Sequence, residues 1–200
     1  MAMRKGIVSR SGRILLSIPI VGVILCLVLM SGSLYSQTQV PNEYQVKAAF
    51  IYNFAKFIEW PPGTFSSKEM PFILGVMGDE FISRTIEQAI QGKTVNGRQL
   101  QIKRLELGQE LKICQVLYIS SYEQRHLVQI LESLRGSSTL TIGEMDRFIQ
   151  QGGIINLVTE ENRVLFEVNL EVAEQAQLKI SSKLLVLART VRGGQRARPR

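Results

Sequence analysis

The chain has 200 residues, 45% hydrophobic and 20% charged, a composition that fits one globular domain with short appendages. Its formal charge of +7 sits at the ends: residues 1–36 hold four bases and no acid, residues 189–200 hold five arginines and no acid, and residues 37–188 hold 15 bases against 17 acids. The middle of the chain is therefore not basic, and nucleic-acid binding, which would rest on the arginine-rich end alone, is excluded as the main function.

The N-terminus reads as an export signal. A basic stretch ends at Arg13, an apolar run spans Ile14 to Met30, and small and polar residues follow in "SGSLYSQTQ". Ser31-Gly32-Ser33 or Leu34-Tyr35-Ser36 would precede the cut, so residues 1–36 are assigned to the signal; an uncleaved anchor is the alternative. A lipoprotein signal is rejected because Cys26 follows Leu25 in mid-run. The positive end stays inside and the remainder is exported, which places it in the periplasm or anchors it there. Export makes cysteine informative: once Cys26 leaves with the signal, Cys114 is alone and forms no internal bridge. Within "KICQVLYIS", Cys114 reads as a small apolar strand residue, with a redox-active thiol as the alternative.

The mature chain alternates apolar runs with helical patterns, which predicts an α/β class: a single domain over residues 37–191 with a mixed β-sheet flanked by helices, followed by a disordered basic tail at 192–200. The first helix is expected from about Glu43 to Trp60, stopped by Pro61 and Pro62. On a helical wheel Val46, Ala48, Phe50, Ile51, Phe54, Ala55, Phe57 and Ile58 share one arc, interrupted by Lys47, whose stem lies along the arc and whose ammonium pairs with Glu43. The alternation of charges with apolar residues excludes a membrane span for this stretch. On its other side Tyr52, Lys56 and Trp60 fall at i, i+4 and i+8, an aromatic and basic line of the type that recurs at protein interfaces. These three are the candidate partner-binding residues. The alternative folds Trp60 over the Pro-Pro corner and tucks Tyr52 under a loop.

"PFILGVMG" reads as a buried strand and "DEFISRTIEQAIQG" as a helix with Phe81, Ile82, Ile86 and Ile90 on one side, closed by Gly92. "KTVNGRQLQIKRLE" carries an Asn-Gly turn and then a half-buried strand. "ICQVLYIS" is the next strand. Glu123 to Arg135 is a helix capped from Ser120 or Ser121, and "STLTIG" a strand. Residues 145–150 are expected as a helix ended by Gly152-Gly153, "IINLVTEENRVLFEVNL" as a hairpin turning at Glu160-Glu161-Asn162, 171–177 as a short helix and "SSKLLVLARTV" as the last one.

Catalytic constellations are scarce. His126 is the only histidine and lies in a helical pattern, so it reads as a solvated histidine rather than a base. One histidine and one mature cysteine do not assemble a zinc or copper site of the usual ligands, and no metal or cofactor is expected. "GVMGDEF" offers glycines between a strand and a helix, where a phosphate could sit, yet Asp79-Glu80 occupy that helix start and suit its dipole. No G-x-S-x-G elbow occurs. The residues alone support an exported α/β domain that binds something, with a small-molecule binding protein as the runner-up and a hydrolase using His126 or Glu59 as a third class.

Five blocks, "YQVKAAFIYNFAKFIEWP", "GKTVNGRQLQIKRL", "CQVLYIS", "LTIGEMDRFIQQGGIINLV" and "NRVLFEVNLEVAEQAQLKISSKLLVLA", resemble the YfiR family in order, across residues 43–191. The resemblance implies a small periplasmic α/β protein, often a homodimer, without enzymatic activity. It implies repression of an inner-membrane signalling protein with a periplasmic sensor domain, in the best understood members a diguanylate cyclase. Release, aided by an outer-membrane lipoprotein, raises cyclic di-GMP and favours biofilm; other members accompany sensor kinases or outer-membrane receptors. The family often carries a cysteine that aligns with Gly75 here and bridges to the position of Cys114, so this chain departs from that redox pattern. Tyr52, Asn53, Phe54, Phe57, Trp60, Gly152, Gly153, Arg163, Phe166 and Asn169 match the family's pattern and read first as fold determinants. Asn53 is expected to bond a backbone group of the following strand.

Overall fold

A computed structural model describes residues 43–193; the expected export signal, Cys26 and the arginines beyond Gly193 lie outside the described residues. Helix α1 (Glu43–Phe57) leads into a two-residue strand β1 (Ile58–Glu59), and β2 (Phe72–Met77), α2 (Glu80–Ile90), β3 (Thr94–Val95) and β4 (Arg98–Arg104) follow. Then come β5 (Val116–Ile119), α3 (Leu127–Ser133), β6 (Leu140–Gly143), β7 (Ile155–Glu160), β8 (Arg163–Asn169), α4 (Leu170–Gln175), β9 (Lys179–Ile180), α5 (Ser182–Leu187) and β10 (Thr190–Arg192).

Eight of the strands make one mixed sheet in the order β10-β8-β7-β6-β5-β2-β4-β3. The five from β4 to β7 run parallel, while β3 is antiparallel to β4, β8 is antiparallel to β7, and β10 runs parallel to β8. Parallel strands covered on both faces need apolar residues at every position, and β2 and β5 are buried throughout. Their alternation divides the core into two layers. Phe72, Leu74, Val76, Val116 and Tyr118 face a cluster with α1 and α2, whereas Met77, Leu117 and Ile119 face α3, Met145, Phe148 and Ile149. The α1 face is anchored by three rings, with Phe54 4.9 Å from Phe166 and Phe50 6.0 Å from Phe166, centroid to centroid.

Both hairpin turns expected from the sequence form, and the second uses only Glu161 and Asn162, because Glu160 pairs with Arg163. Asn96 and Gly97 adopt φ of 50° and 80° between β3 and β4, and Glu161 and Asn162 adopt 47° and 61° between β7 and β8. This left-handed pair is the geometry that matches strand twist in a hairpin.

Several expectations are corrected. Helix α1 stops at Phe57, because Ile58 and Glu59 turn out to pair with Ile180 and Lys179 and the Phe57 carbonyl accepts the Ser181 N–H at 3.0 Å. Phe57 is 38% exposed and Phe81 59% exposed, so neither belongs to the buried face of its helix, and Asn53 is exposed as well. Residues 145–150 form turns rather than a helix, interrupted where Arg147 takes φ 60°. The helix expected from Glu123 begins as a 3-10 turn over Ser121–His126, and Ser120 precedes it without a side-chain cap. The last expected helix splits: α5 ends at Leu187, and Thr190–Arg192 joins the sheet beside Glu167–Asn169.

Gly153 of the family pattern, and Gly143 with it, are explained by Phe148, whose ring lies so close to the backbone of both that a Cβ at either would overlap it. Gly152, at φ 103°, needs glycine for its backbone alone. Buried Asn169 donates from Nδ2 to the Ile149 carbonyl at 2.8 Å and caps α4 by accepting the Val172 N–H at 3.2 Å. Among the described residues no helix is long and apolar enough to cross a membrane.

Candidate functional site

The outward side of α1 carries the residues singled out by spacing. Tyr52 is half-buried; its hydroxyl donates to the Thr94 carbonyl at 3.0 Å, which ties α1 to the β3–β4 hairpin. Its ring is flanked by Lys56 Nζ at 5.2 Å and Lys93 Nζ at 4.8 Å from the centroid, two cation–π contacts on one ring. Lys56 is exposed. Trp60 lies beyond the helix end and meets Phe72 edge-on at 5.1 Å, with its indole Nε1 buried and without a hydrogen-bond partner among the described residues. The structure thus brings Tyr52 and Lys56 together, adds Lys93, which the helical spacing did not reveal, and sets Trp60 apart at the start of β2. Beside Trp60 opens a groove of about 490 Å³ whose lining includes Glu59, Pro61, Pro62, Leu178 and Lys179.

The residues weighed for chemistry are dispersed. Asp79 caps α2 by accepting the Ile82 N–H at 2.8 Å, so a carboxylate already fills the helix start where an anion would bind. His126 is exposed and its Nδ1 lies 3.1 Å from Glu123. Glu59 is exposed on β1. Among the described residues no three His, Cys, Asp or Glu side chains come together as metal ligands.

Cys114 is buried and free, and burial pushes its thiol up from the ordinary 9.0 to about 11. Its thiol lies beside Gly75 of β2, whose partner across the sheet is Leu117. A Cβ built on Gly75 would stand 2.8 Å from Cys114 Sγ, 2.7 Å from Leu117 Cδ1 and 2.8 Å from Leu105 Cδ1. Glycine leaves the space that the apolar side chains and the thiol occupy.

A polar cluster that the sequence reading did not assemble lies at the carboxyl ends of β2, β5 and β6, beneath the first turn of α1. In open α/β sheets this edge is where ligand sites arise. Lys47 reaches Glu144 at 2.5 Å and Glu43 at 2.6 Å, and the Lys47 and Glu144 side chains are only 6% and 4% exposed. Glu144 also lies 3.5 Å from the Tyr44 hydroxyl and 3.4 Å from the Ser121 N–H. Glu43 accepts from Thr159 on β7 at 2.7 Å, and the hydrogen bonds from Lys47 and then Thr159 hold its carboxyl below the usual range. Burial, and then the Glu144 charge, pushes the Tyr44 phenol up to about 12. The same two causes raise the Tyr118 phenol well above its ordinary value. Glu144 lies near enough to act on Tyr118, yet the Tyr118 hydroxyl and Ser120 Oγ stand outside hydrogen-bonding geometry with any described group. The signals for this cluster were Lys47 inside an apolar arc and an acid immediately after a buried strand. What spacing could not supply was their meeting, 97 residues apart in sequence.

Comparison with known proteins places these features in a wider set. A family model described as YfiR/HmsC-like matches residues 44–189. Among solved structures, the chain is similar to a conserved domain protein from Vibrio cholerae O1 biovar eltor, with a TM-score of 0.54 and 10% identity over 75% of this chain and 60% of that one. It is also similar to an ABC domain from Streptococcus pneumonia, solved in complex with L-Trp, with a TM-score of 0.49 and 10% identity over 72% of this chain and 60% of that one. The chain therefore covers less than two thirds of either solved protein, and the first likeness speaks for the fold alone.

Proposed function

Because the chain belongs to the YfiR/HmsC-like family, we propose that it is a periplasmic regulator of cyclic di-GMP signalling that works by docking rather than by catalysis. The observation that carries this reading is the extent of the family match, which runs from the first turn of α1 to the residue before β10. The partner is an inner-membrane signalling protein with a periplasmic sensor domain, a diguanylate cyclase in the specific form of the proposal, and an outer-membrane lipoprotein relieves the repression. Binding holds the partner in its inactive state by population shift: a partner kept 99:1 off from a 1:99 start needs about 5.5 kcal/mol of differential affinity.

The docking face proposed is the outward side of α1 around Tyr52 and Lys56, with Lys93 beside them and Trp60 at its end. Tyr52 is pre-ordered by its bond to Thr94, so little side-chain entropy is lost when a partner covers it. Photo-crosslinking from positions 52 and 56 in whole cells is the test. Adducts with an inner-membrane cyclase support the reading; adducts with that cyclase only from a distant control such as position 128 refute the face, and no effect on cyclic di-GMP in cells lacking the chain refutes the function. A second reading, a small-molecule binding protein, is favoured by the groove beside Trp60, and a ligand that raises the melting temperature of the wild type but not of Trp60→Ala would support it.

A further inference from the structure

Three cavities adjoin one another along the amino ends of β2, β5 and β6. The groove of about 490 Å³ beside Trp60 shares Pro61, Pro62 and Gln177 with a second of about 370 Å³. The second shares Ser137 and Thr139 with a third of about 260 Å³. Together they make one trough, at the opposite edge of the sheet from the Lys47–Glu144 cluster.

Among the described residues the walls are neutral as a whole. Glu59, Glu132 and Glu174 stand against Lys112, Arg135 and Lys179. Arg135 pairs with Glu132 at 2.6 Å, and Lys179 is the register partner of Glu59. Such a lining gives no net attraction to a ligand of either sign. Between the charges lie amides and hydroxyls. Gln115 is buried and its Oε1 accepts the Ile73 N–H at 2.8 Å, which leaves Nε2 as a donor beside the trough. Thr139 Oγ1 donates to the Cys114 carbonyl at 2.9 Å and accepts from Ser137 Oγ at 3.1 Å, so both hydroxyls are fixed and each keeps a lone pair for a donor. Trp60, partly exposed, supplies a flat apolar ring at one end, next to the Pro61-Pro62 corner.

Gln177 stands where two of the cavities meet, in a backbone conformation that costs energy. Its N–H bonds the Glu174 carbonyl and the Leu178 N–H bonds the Ala173 carbonyl, each at 2.9 Å, the pattern that closes a helix over a left-handed residue. Glycine is the usual occupant of that position. Here a glutamine holds it at φ 58°, with its side chain on the trough. Strain retained at a cavity wall points to a use for the side chain.

We propose that this trough binds an uncharged oligosaccharide along the amino ends of the strands. Amides and hydroxyls match both the donor and the acceptor capacity of sugar hydroxyls, and the C–H face of a sugar ring packs on an aromatic or proline surface. An extended peptide is less favoured, because it pairs with a free strand edge and needs pockets for alternate side chains. This trough instead runs across strand ends between polar walls. The proposal goes beyond the regulatory reading and takes the groove beside Trp60 as one end of a longer site.

The test uses the full chain, held in a detergent without a sugar headgroup, with dimers and hexamers of N-acetylglucosamine and of glucose as probes. Trp60 is the only tryptophan, so its emission reports the site directly. One of the hexamers should change that emission saturably and bind about tenfold or more tightly than its dimer. Gln177→Gly removes the side chain and the strain together. It should raise the melting temperature by about 2–4 °C while weakening hexamer binding about threefold or more. A gain in stability with unchanged affinity would overturn the proposal, since Gln177 would then be a strained cap and nothing more. So would no response to either hexamer up to about 1 mM, or tighter binding of a neutral Ser/Ala octapeptide. Equal affinity for dimer and hexamer would overturn the extended site while leaving the small-molecule reading of the Trp60 groove in place.

Discussion

Replacing Lys47 by methionine isolates the buried ion pair beneath α1. Methionine keeps the stem's packing in the apolar arc and removes the ammonium, leaving Glu144, with a side chain 4% exposed, facing the Tyr44 hydroxyl at 3.5 Å and the Ser121 N–H at 3.4 Å. Both contacts are too long to satisfy a buried carboxylate. Removing one member of a buried pair costs about 3–5 kcal/mol. For a domain of this size that is a fall of roughly 6–20 °C in melting temperature. Glu144→Gln should cost less, about 1–3 kcal/mol, because Lys47 keeps Glu43 at 2.6 Å, an acid that is 46% exposed and hydrated. The double change Lys47→Met/Glu144→Leu should lose at least about 1 kcal/mol less than the sum of the single changes, since no charge is left stranded. Urea denaturation followed by far-ultraviolet circular dichroism at neutral pH measures all three. A Lys47→Met protein within about 1 kcal/mol of the parent would refute the reasoning, because it would mean the pair is solvated in practice.

Cys114 should resist thiol reagents at neutral pH until the domain unfolds, so the labelling rate should track denaturant. Since its thiol is raised from 9.0 to about 11 in the folded state, its contribution to stability is complete below pH 9 and lost between pH 9 and 11, and Cys114→Ala should flatten that part of the stability–pH curve. Gly153→Ala should destabilise by about 2 kcal/mol or more, as the Phe148 ring must move out of its slot, and Phe148→Leu combined with it should recover part of the loss in the same denaturation assay. Gly75→Cys places a Cβ 2.8 Å from Cys114 Sγ, near the spacing of about 3 Å that an S–S bond of ~2.05 Å imposes. Under oxidising conditions that variant should lose both thiols to thiol titration, whereas two persistent free thiols would show that Leu117 and Leu105 direct the new side chain elsewhere.

The parts of the fold that were legible depend on short-range rules. Asn96-Gly97 fixes its turn by backbone preference, and the all-apolar strands Phe72–Met77 and Val116–Ile119 announce burial on both faces. What the sequence concealed depends on distant partners. Thr190–Arg192 looks like the end of a helix until β8 offers its edge, and Ile58–Glu59 looks helical until Lys179–Ile180 pairs with it. Phe57 and Phe81 obey the helical period, but periodicity cannot say how far a neighbouring element extends to cover them. The candidate site divides the same way: Tyr52 and Lys56 were legible as successive turns of one helix, whereas Lys93 and Glu144 reach their places through the hairpin and the sheet.

The most direct measurement is cyclic di-GMP in cells with the chain deleted and then restored, either as the parent or as Tyr52→Ala/Lys56→Glu, with both forms checked for equal abundance. The docking account predicts a rise on deletion, a return to the starting level with the parent and no return with the variant. An unchanged level on deletion would contradict it.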